Sequence, residues 1–273
     1  MIVVSFLILM LIGLISATFG SIVGLGGGII IVPALTLLGP SLLGETISSP
    51  VAVGSSLTVL IVTALASTIT YVKQGKVDFR SGWLYFAASG PASIAGAAFT
   101  GAFKGQAFQL SFGFFMLFMA GLMVARDYMK PITIDWRIKR VYVDPAGTEH
   151  PYGYNVIPAL LVGLGVGMIS GLFGIGGGSL FVPLMVLLFR YPPHVATATS
   201  MFVIFLSAIL GSATHVALGE VDWLSVAALA PGAYIGGKLG ARIASRMSGR
   251  GLLWLLRITL FALAVRMIAE GFQ

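Results

Sequence analysis

The sequence predicts an all-α integral membrane protein built from two inverted-topology repeats of about five hydrophobic segments each, with glycine-rich broken or re-entrant helices meeting near the membrane midplane. Three observations carry this. Of the 273 residues, 58% are hydrophobic and only 9% are charged. Ten hydrophobic runs follow one another along the chain. A set of motifs in the first half returns, in the same order, in the second.

A soluble domain carries roughly 25% charged residues to hold its surface in water; here most of that surface must face lipid, as the mean hydropathy of +1.01 also requires. The net charge of +7 would suggest a nucleic-acid partner in a soluble protein. In a membrane protein the positive-inside rule accounts for it, and no nucleic acid is expected. Cysteine is absent, which excludes disulfides, thiolate metal sites and cysteine nucleophiles. Residues 1–17 are apolar with no Lys or Arg ahead of them, and read as a retained membrane segment rather than a secretory signal.

The hydrophobic runs fall at about 2–19, 29–39, 50–72, 81–102, 107–127, 154–172, 179–190, 195–218, 223–243 and 251–269. A bilayer core needs about 20 apolar residues per helix, so the second and seventh runs are short. The one sizeable polar connection, 126–153, divides the chain into a first repeat at 1–127, a cytoplasmic connection at 128–152 and a second repeat at 153–273.

The halves share three motifs. Gly24-Leu25-Gly26-Gly27-Gly28 followed by Val32-Pro33 recurs as Gly174-Ile175-Gly176-Gly177-Gly178 followed by Val182-Pro183. Ser55-Ser56-Leu57 stands opposite Thr199-Ser200-Met201, and residues 70–79 match 214–223, placing Tyr71 opposite His215 and Asp78 opposite Asp222. With five segments per half, the second repeat enters the membrane from the opposite side. Counting sides alternately gives one side Lys73, Lys76, Arg80, Arg126, Lys130, Arg137, Lys139, Arg140, Arg190, Arg242, Arg246 and Arg250, and the other Lys104. The basic side is therefore cytoplasmic, in a cell (inner) membrane, with both termini outside.

The paired GxGGG-xxx-VP motifs, the two-half organisation and the length resemble the sulfite exporter TauE/SafE family over nearly the whole chain. That resemblance implies transport of sulfite, of a sulfonate such as sulfoacetate, or of a related organic anion. The residues supply a physical reason. Consecutive glycines let backbone N–H groups turn toward one point and approach a ligand closely. Each cluster leads into a helix whose N-terminal amides lack acceptors and carry a partial positive charge, which suits an oxyanion. The expected substrate-binding set is Gly24, Gly26, Gly27, Gly28, Ser55, Ser56, Gly174, Gly176, Gly177, Gly178, Thr199, Ser200 and Lys238.

Each of these residues has a second reading. Glycines also serve close helix packing of the small-xxx-small kind. Pro33 and Pro183 either free a carbonyl one turn earlier or bend the helix for packing. Hydroxyls such as Ser55, Ser56, Thr58, Thr63, Ser67, Thr199, Ser200 and Ser212 either donate to an anion or bond back to their own helix. Asn155 reads as a helix cap. Lys238, Arg257 and Arg266 are the charges within spans; Lys238 and Arg257 can reach the interface, and Arg266 stands at helix spacing from Glu270. His194 and His215 read as packing or interface residues.

No HExxH motif, cysteine or pair of intramembrane acids is present, so the sequence does not read as an enzyme, and no cofactor or metal is expected. A passive anion channel or uniporter would use the same backbone-lined constriction. A proton-coupled permease would normally bury an acid within a span, whereas Glu45, Asp78 and Asp222 fall at loop edges. A homo-oligomer is compatible with the sequence.

Cysteines introduced at Lys76 and within 126–153 are expected to be protected from an impermeant thiol reagent in intact cells, and one at Glu220 to react. Labelling at Lys76 but not Glu220 would overturn the orientation; labelling at both would overturn the inversion.

Overall fold

The computed structural model describes residues 2–43, 46–102, 106–125, 136–144 and 147–272. Glu45, Lys104, Arg126 and Lys130, named in the sequence argument, lie outside them. The chain forms helices α1 (Ile2–Val23), α2 (Gly28–Leu43), α3 (Ser49–Lys73), α4 (Phe79–Phe99), α5 (Gln106–Ala125), α6 (Val156–Phe173), α7 (Gly178–Leu188), α8 (Pro193–Ala217), α9 (Trp223–Ala244) and α10 (Gly249–Gly271). Among the described residues, α1, α3, α6 and α8 are long and apolar enough to cross a bilayer. At about 1.5 Å per residue, the 11-residue α7 reaches only about half the thickness of a hydrocarbon core.

The polar connection departs from an all-helical reading. Strands β1 (Ile138–Val143) and β2 (Glu149–Tyr154) pair antiparallel, with Arg140 opposite Tyr152. The strands are held to the helices by Tyr152 and Tyr154, both buried, and by the Gly153 N–H, which donates to the Phe189 carbonyl at 3.2 Å. Asn155 precedes α6 without a side-chain bond to its first turn; its Oδ1 accepts from the Arg137 N–H at 2.8 Å.

Helix contacts recur in matched pairs. The first helix of each half packs on the fourth helix of the other, α1 on α9 and α6 on α4. The third helices, α3 and α8, pack on each other, as do the fifth, α5 and α10. Glycine makes the first kind of contact possible. A Cβ on Gly13, Gly232, Gly236 or Gly240 would run into the carbonyl of Leu229, Met10, Leu14 or Thr18 respectively. One on Gly163, Gly167, Gly171 or Gly96 would meet that of Tyr85, Ser89, Ser93 or Met168. Backbones this close gain dispersion contacts that lipid tails cannot outcompete, so small residues drive the packing of membrane helices.

Gly232→Leu and Gly167→Leu should each destabilise the fold by more than about 1–3 kcal/mol, since the obstacle is backbone rather than a side chain that can swing away. Loss of folded protein on size-exclusion chromatography in detergent is the expected outcome; wild-type thermal stability for both would contradict this packing.

Candidate functional site

The glycine loops sit where α1 and α6 end and the short helices α2 and α7 begin. Gly24, Gly26 and Gly27, and likewise Gly174, Gly176 and Gly177, have φ between +69° and +98°. This left-handed region costs a residue with a Cβ about 1–2 kcal/mol, so six glycines allow two abrupt reversals. The Leu25 and Gly26 N–H groups both donate to the Gly20 carbonyl, closing the first loop. After each loop the helix starts with free donors. Among the described residues, the amides of Gly27, Gly28 and Ile29, and of Gly177, Gly178 and Ser179, have no backbone acceptor. Pro33 and Pro183 lie inside α2 and α7.

The loops cross each other at the interface of α3 and α8. A Cβ on Gly28 would collide with the Gly174 carbonyl, and one on Gly178 with the Gly24 carbonyl. Those carbonyls are taken up by hydroxyls from the opposite half: Ser56 Oγ donates to Gly174 O at 2.9 Å, and Ser200 Oγ donates to Gly24 O at 3.1 Å. The neighbouring hydroxyls act as acceptors. Thr199 Oγ1 accepts from the Asp78 N–H at 3.0 Å, and Ser55 Oγ from the Asp222 N–H at 2.8 Å. All four hydroxyl residues are fully buried. Leu60 and Ile204 fill the space between the loops, each bounding both Gly26 and Gly176.

Twelve of the thirteen expected binding residues thus gather at this crossing or in the bonds that brace it. The thirteenth, Lys238, directs its ammonium at the ring of Tyr234 on its own helix, 4.1 Å from the centroid. Thr58 and Ser212 bond each other at 2.8 Å. Thr63 and Ser67 bond back to the carbonyls of Val59 and Thr63, as polar residues in membrane helices commonly do. Arg257 stacks on Trp254, 5.3 Å from the ring centroid, and the Glu270 side chain lies outside the described residues.

Two polar residues escaped the sequence reading. Ser179, in the first turn of α7, and Thr197, beside Gly24, are buried with hydroxyls that have no hydrogen-bond partner among the described residues. Their counterparts in the first half are Ile29 and Val53. A comparison of the two repeats position by position would have found them, because a hydroxyl facing an aliphatic residue is where equivalent positions diverge.

At the matched positions Tyr71 and His215 the halves diverge. Tyr71 donates its hydroxyl to the Ser21 carbonyl at 2.6 Å, while His215 Nδ1 lies 2.7 Å from Glu220 Oε2.

With this geometry in view, the sequence profile of the family described as sulfite exporter TauE/SafE matches residues 9–267. The chain belongs to that family. It is 44% identical to the "Probable membrane transporter protein YunE" of Bacillus subtilis, over 98% of each chain. It is 26% identical to a "Probable membrane transporter protein" of Xylella fastidiosa, covering 86% of this chain and 83% of the relative. It is also 29% identical to the "Probable membrane transporter protein MJ0441" of Methanocaldococcus jannaschii, covering 75% and 70%. No solved structure matches. The protein is thus a multi-pass membrane transporter of the TauE/SafE family, and the names of its family and relatives are those of transporters rather than enzymes.

The inter-half bonds make a direct expectation for this TauE/SafE protein. Ser56→Ala leaves the Gly174 carbonyl and Ser200→Ala leaves the Gly24 carbonyl without its partner from the other half, each costing about 1–3 kcal/mol. Denaturation of the purified variants should show comparable losses for the two; a loss confined to one would contradict the reciprocity.

Proposed function

We propose that the protein exports a small anion from the cytoplasm: sulfite, a sulfonate such as sulfoacetate, or a related organic anion. The observation that carries this reading is the pair of helix N-termini at the glycine crossing, where unpaired amides stand beside buried hydroxyls in an apolar interior. A charge is costly there unless it is hydrogen-bonded, and an oxyanion can accept from several N–H and O–H donors together. Gly24, Gly26, Gly27 and Gly28 with Gly174, Gly176, Gly177 and Gly178 supply the backbone. Ser55, Ser56, Thr199 and Ser200 supply hydroxyls once their bonds across the crossing are exchanged for bonds to the anion. Lys238 acts at longer range by attracting the anion.

The two halves act as inverted repeats, 1–127 and 153–273, around a cytoplasmic connection at 128–152. The opposite charge bias of corresponding loops supports this, and so do the matched contacts between the halves. The basic face is cytoplasmic, both termini are outside, and the crossing lies near the midplane of the inner membrane. Rearrangement of Leu60 and Ile204 would open a path between the loops. The partners are the anion and the bilayer, with a homo-oligomer allowed.

Direction follows from electrostatics. An anion leaving a cell with a negative interior gains about 2.3 kcal/mol per charge per 100 mV, so export runs downhill without a coupled ion. In proteoliposomes loaded with sulfite or sulfoacetate, efflux should quicken when valinomycin and a potassium gradient make the interior negative. Voltage-insensitive efflux that requires a proton gradient would replace this mechanism with a proton-coupled permease. A conductance growing linearly with anion concentration, without saturation, would favour a channel.

A further inference from the structure

The open cavity at the start of α3 and its counterpart in the other half are treated very differently by the fold. The cavity, about 380 Å³, is lined by Thr46, Ile47, Ser48, Val51, Val221, Asp222 and Leu224. It opens beside the bond between Ser55 and the Asp222 N–H. Transferred by the spacing that relates Ser55 to Thr199 and Asp222 to Asp78, the lining becomes Arg190, Tyr191, Pro192, Val195, Val77, Asp78 and Arg80. The equivalent bond, Asp78 N–H to Thr199, is intact there.

At that second place the β-hairpin fills the space. Tyr152 is buried, its ring 4.4 Å from that of Tyr191 between centroids, and its hydroxyl donates to Asp78 Oδ2 at 3.1 Å. Arg140 approaches Asp78 Oδ1 at 4.0 Å, and Arg190 lies over the Trp136 ring, 5.5 Å from its centroid. Burial and the neighbouring Asp78 carboxylate push the Tyr152 hydroxyl well above its ordinary range, so it stays a neutral donor across physiological pH. The hairpin is seated by two buried rings, Tyr152 and Tyr154, by the Gly153 bond to the Phe189 carbonyl and by the contacts to Asp78, and it is a two-stranded ribbon, a structure marginally stable without support. Such an element can leave its seat without unfolding the helices.

We infer that the hairpin is a lid, that Tyr152 is its plug, and that beneath it lies a second vestibule equivalent to the open Asp222 cavity. The two vestibules differ in charge. The open one presents Asp222, with Glu220 two residues away, whereas at the covered one Arg140 stands 4.0 Å from Asp78, Arg80 follows Asp78 by two residues, and Arg190 lies over the Trp136 ring ahead of the hairpin. The ligand class of the covered vestibule is a small oxyanion, because its cations exceed its one carboxylate. That assignment rests on the anion-transport reading; the lid itself does not.

Thiol labelling of purified protein in detergent tests the lid independently of transport and of membrane orientation, since the native chain has no cysteine. Val51→Cys, in the open cavity, should react readily with a charged maleimide. Ser81→Cys, fully buried in the first turn after Asp78, should react slowly in the native background. Removing the plug with Tyr152→Ala should raise the Ser81→Cys rate at least about tenfold while leaving the Val51→Cys rate unchanged. Tyr152→Phe, which keeps the ring and loses only the bond to Asp78, should give a smaller increase and serves where Tyr152→Ala does not fold. A Ser81→Cys rate unchanged by both Tyr152→Phe and Tyr152→Ala would overturn the lid, as would rapid labelling of Ser81→Cys in the native background. Slow labelling of Val51→Cys would overturn the equivalence of the two vestibules. If sulfoacetate, whose sulfonate does not consume the maleimide as sulfite would, fails to slow the uncovered Ser81→Cys reaction, the lid stands and the oxyanion assignment falls.

Discussion

Everything in this fold is arranged around two carbonyl groups, those of Gly24 and Gly174. Each stands where a long helix stops and the chain reverses within an apolar interior, and an unpaired buried carbonyl there would cost about as much as a lost hydrogen bond. Each is met by a serine from the opposite half. Those bonds require the loops to touch, which is possible only because Gly28 and Gly178 present no side chain to the facing carbonyl. The shortness of α7, the packing of α3 on α8 and the burial of Leu60 and Ile204 all follow from bringing the loops together. The same constraint leaves the first amides of α2 and α7 without acceptors, so the structural solution and the proposed binding site are one arrangement.

Much of this was legible in the sequence, for identifiable reasons. Runs of apolar residues locate helices because lipid leaves no alternative way to satisfy backbone groups. The GxGGG clusters announced a break in the helix because residues with positive φ need glycine, and their equal distances to Pro33 and Pro183 announced a duplicated unit. What the hydroxyls do was not legible. Ser56 and Ser200 have the same chemistry whether they donate to an anion or to a carbonyl, and their carbonyl partners lie 118 and 176 residues away. The hairpin was hidden for a different reason. Burial alternates along β1, with Ile138, Arg140 and Tyr142 half-buried and Lys139, Val141 and Val143 exposed, but hydropathy does not, since an arginine faces in and two valines face out, so the segment has the pattern and composition of a solvated loop.

The differences between the halves are as informative as the likeness. Tyr71 and His215 occupy matched positions, yet one reaches the Ser21 carbonyl and the other Glu220. Ile29 and Val53 are matched by Ser179 and Thr197, so unpartnered hydroxyls occur only on the second-half side of these pairs. Asp78 sits under a ribbon of aromatic and basic residues, while Asp222 faces an open cavity. A frame shared by both halves holds the crossing together; side chains that are not shared give the two ends different charge and access.

The claim that an oxyanion is held at the glycine crossing is tested most directly by equilibrium binding to the purified protein. A ligand that binds only the folded state adds about 2.7 kcal/mol of stability at one hundred times its dissociation constant. Sulfite or sulfoacetate at millimolar concentration should raise the melting temperature of the native protein, and Thr197→Val, which removes a buried unpartnered hydroxyl and keeps the side chain's shape, should weaken that rise without lowering the melting temperature in the absence of ligand. An unchanged melting temperature with every sulfur oxyanion, or an equal rise in Thr197→Val, Ser179→Ala and the native protein, would contradict a binding site at the crossing.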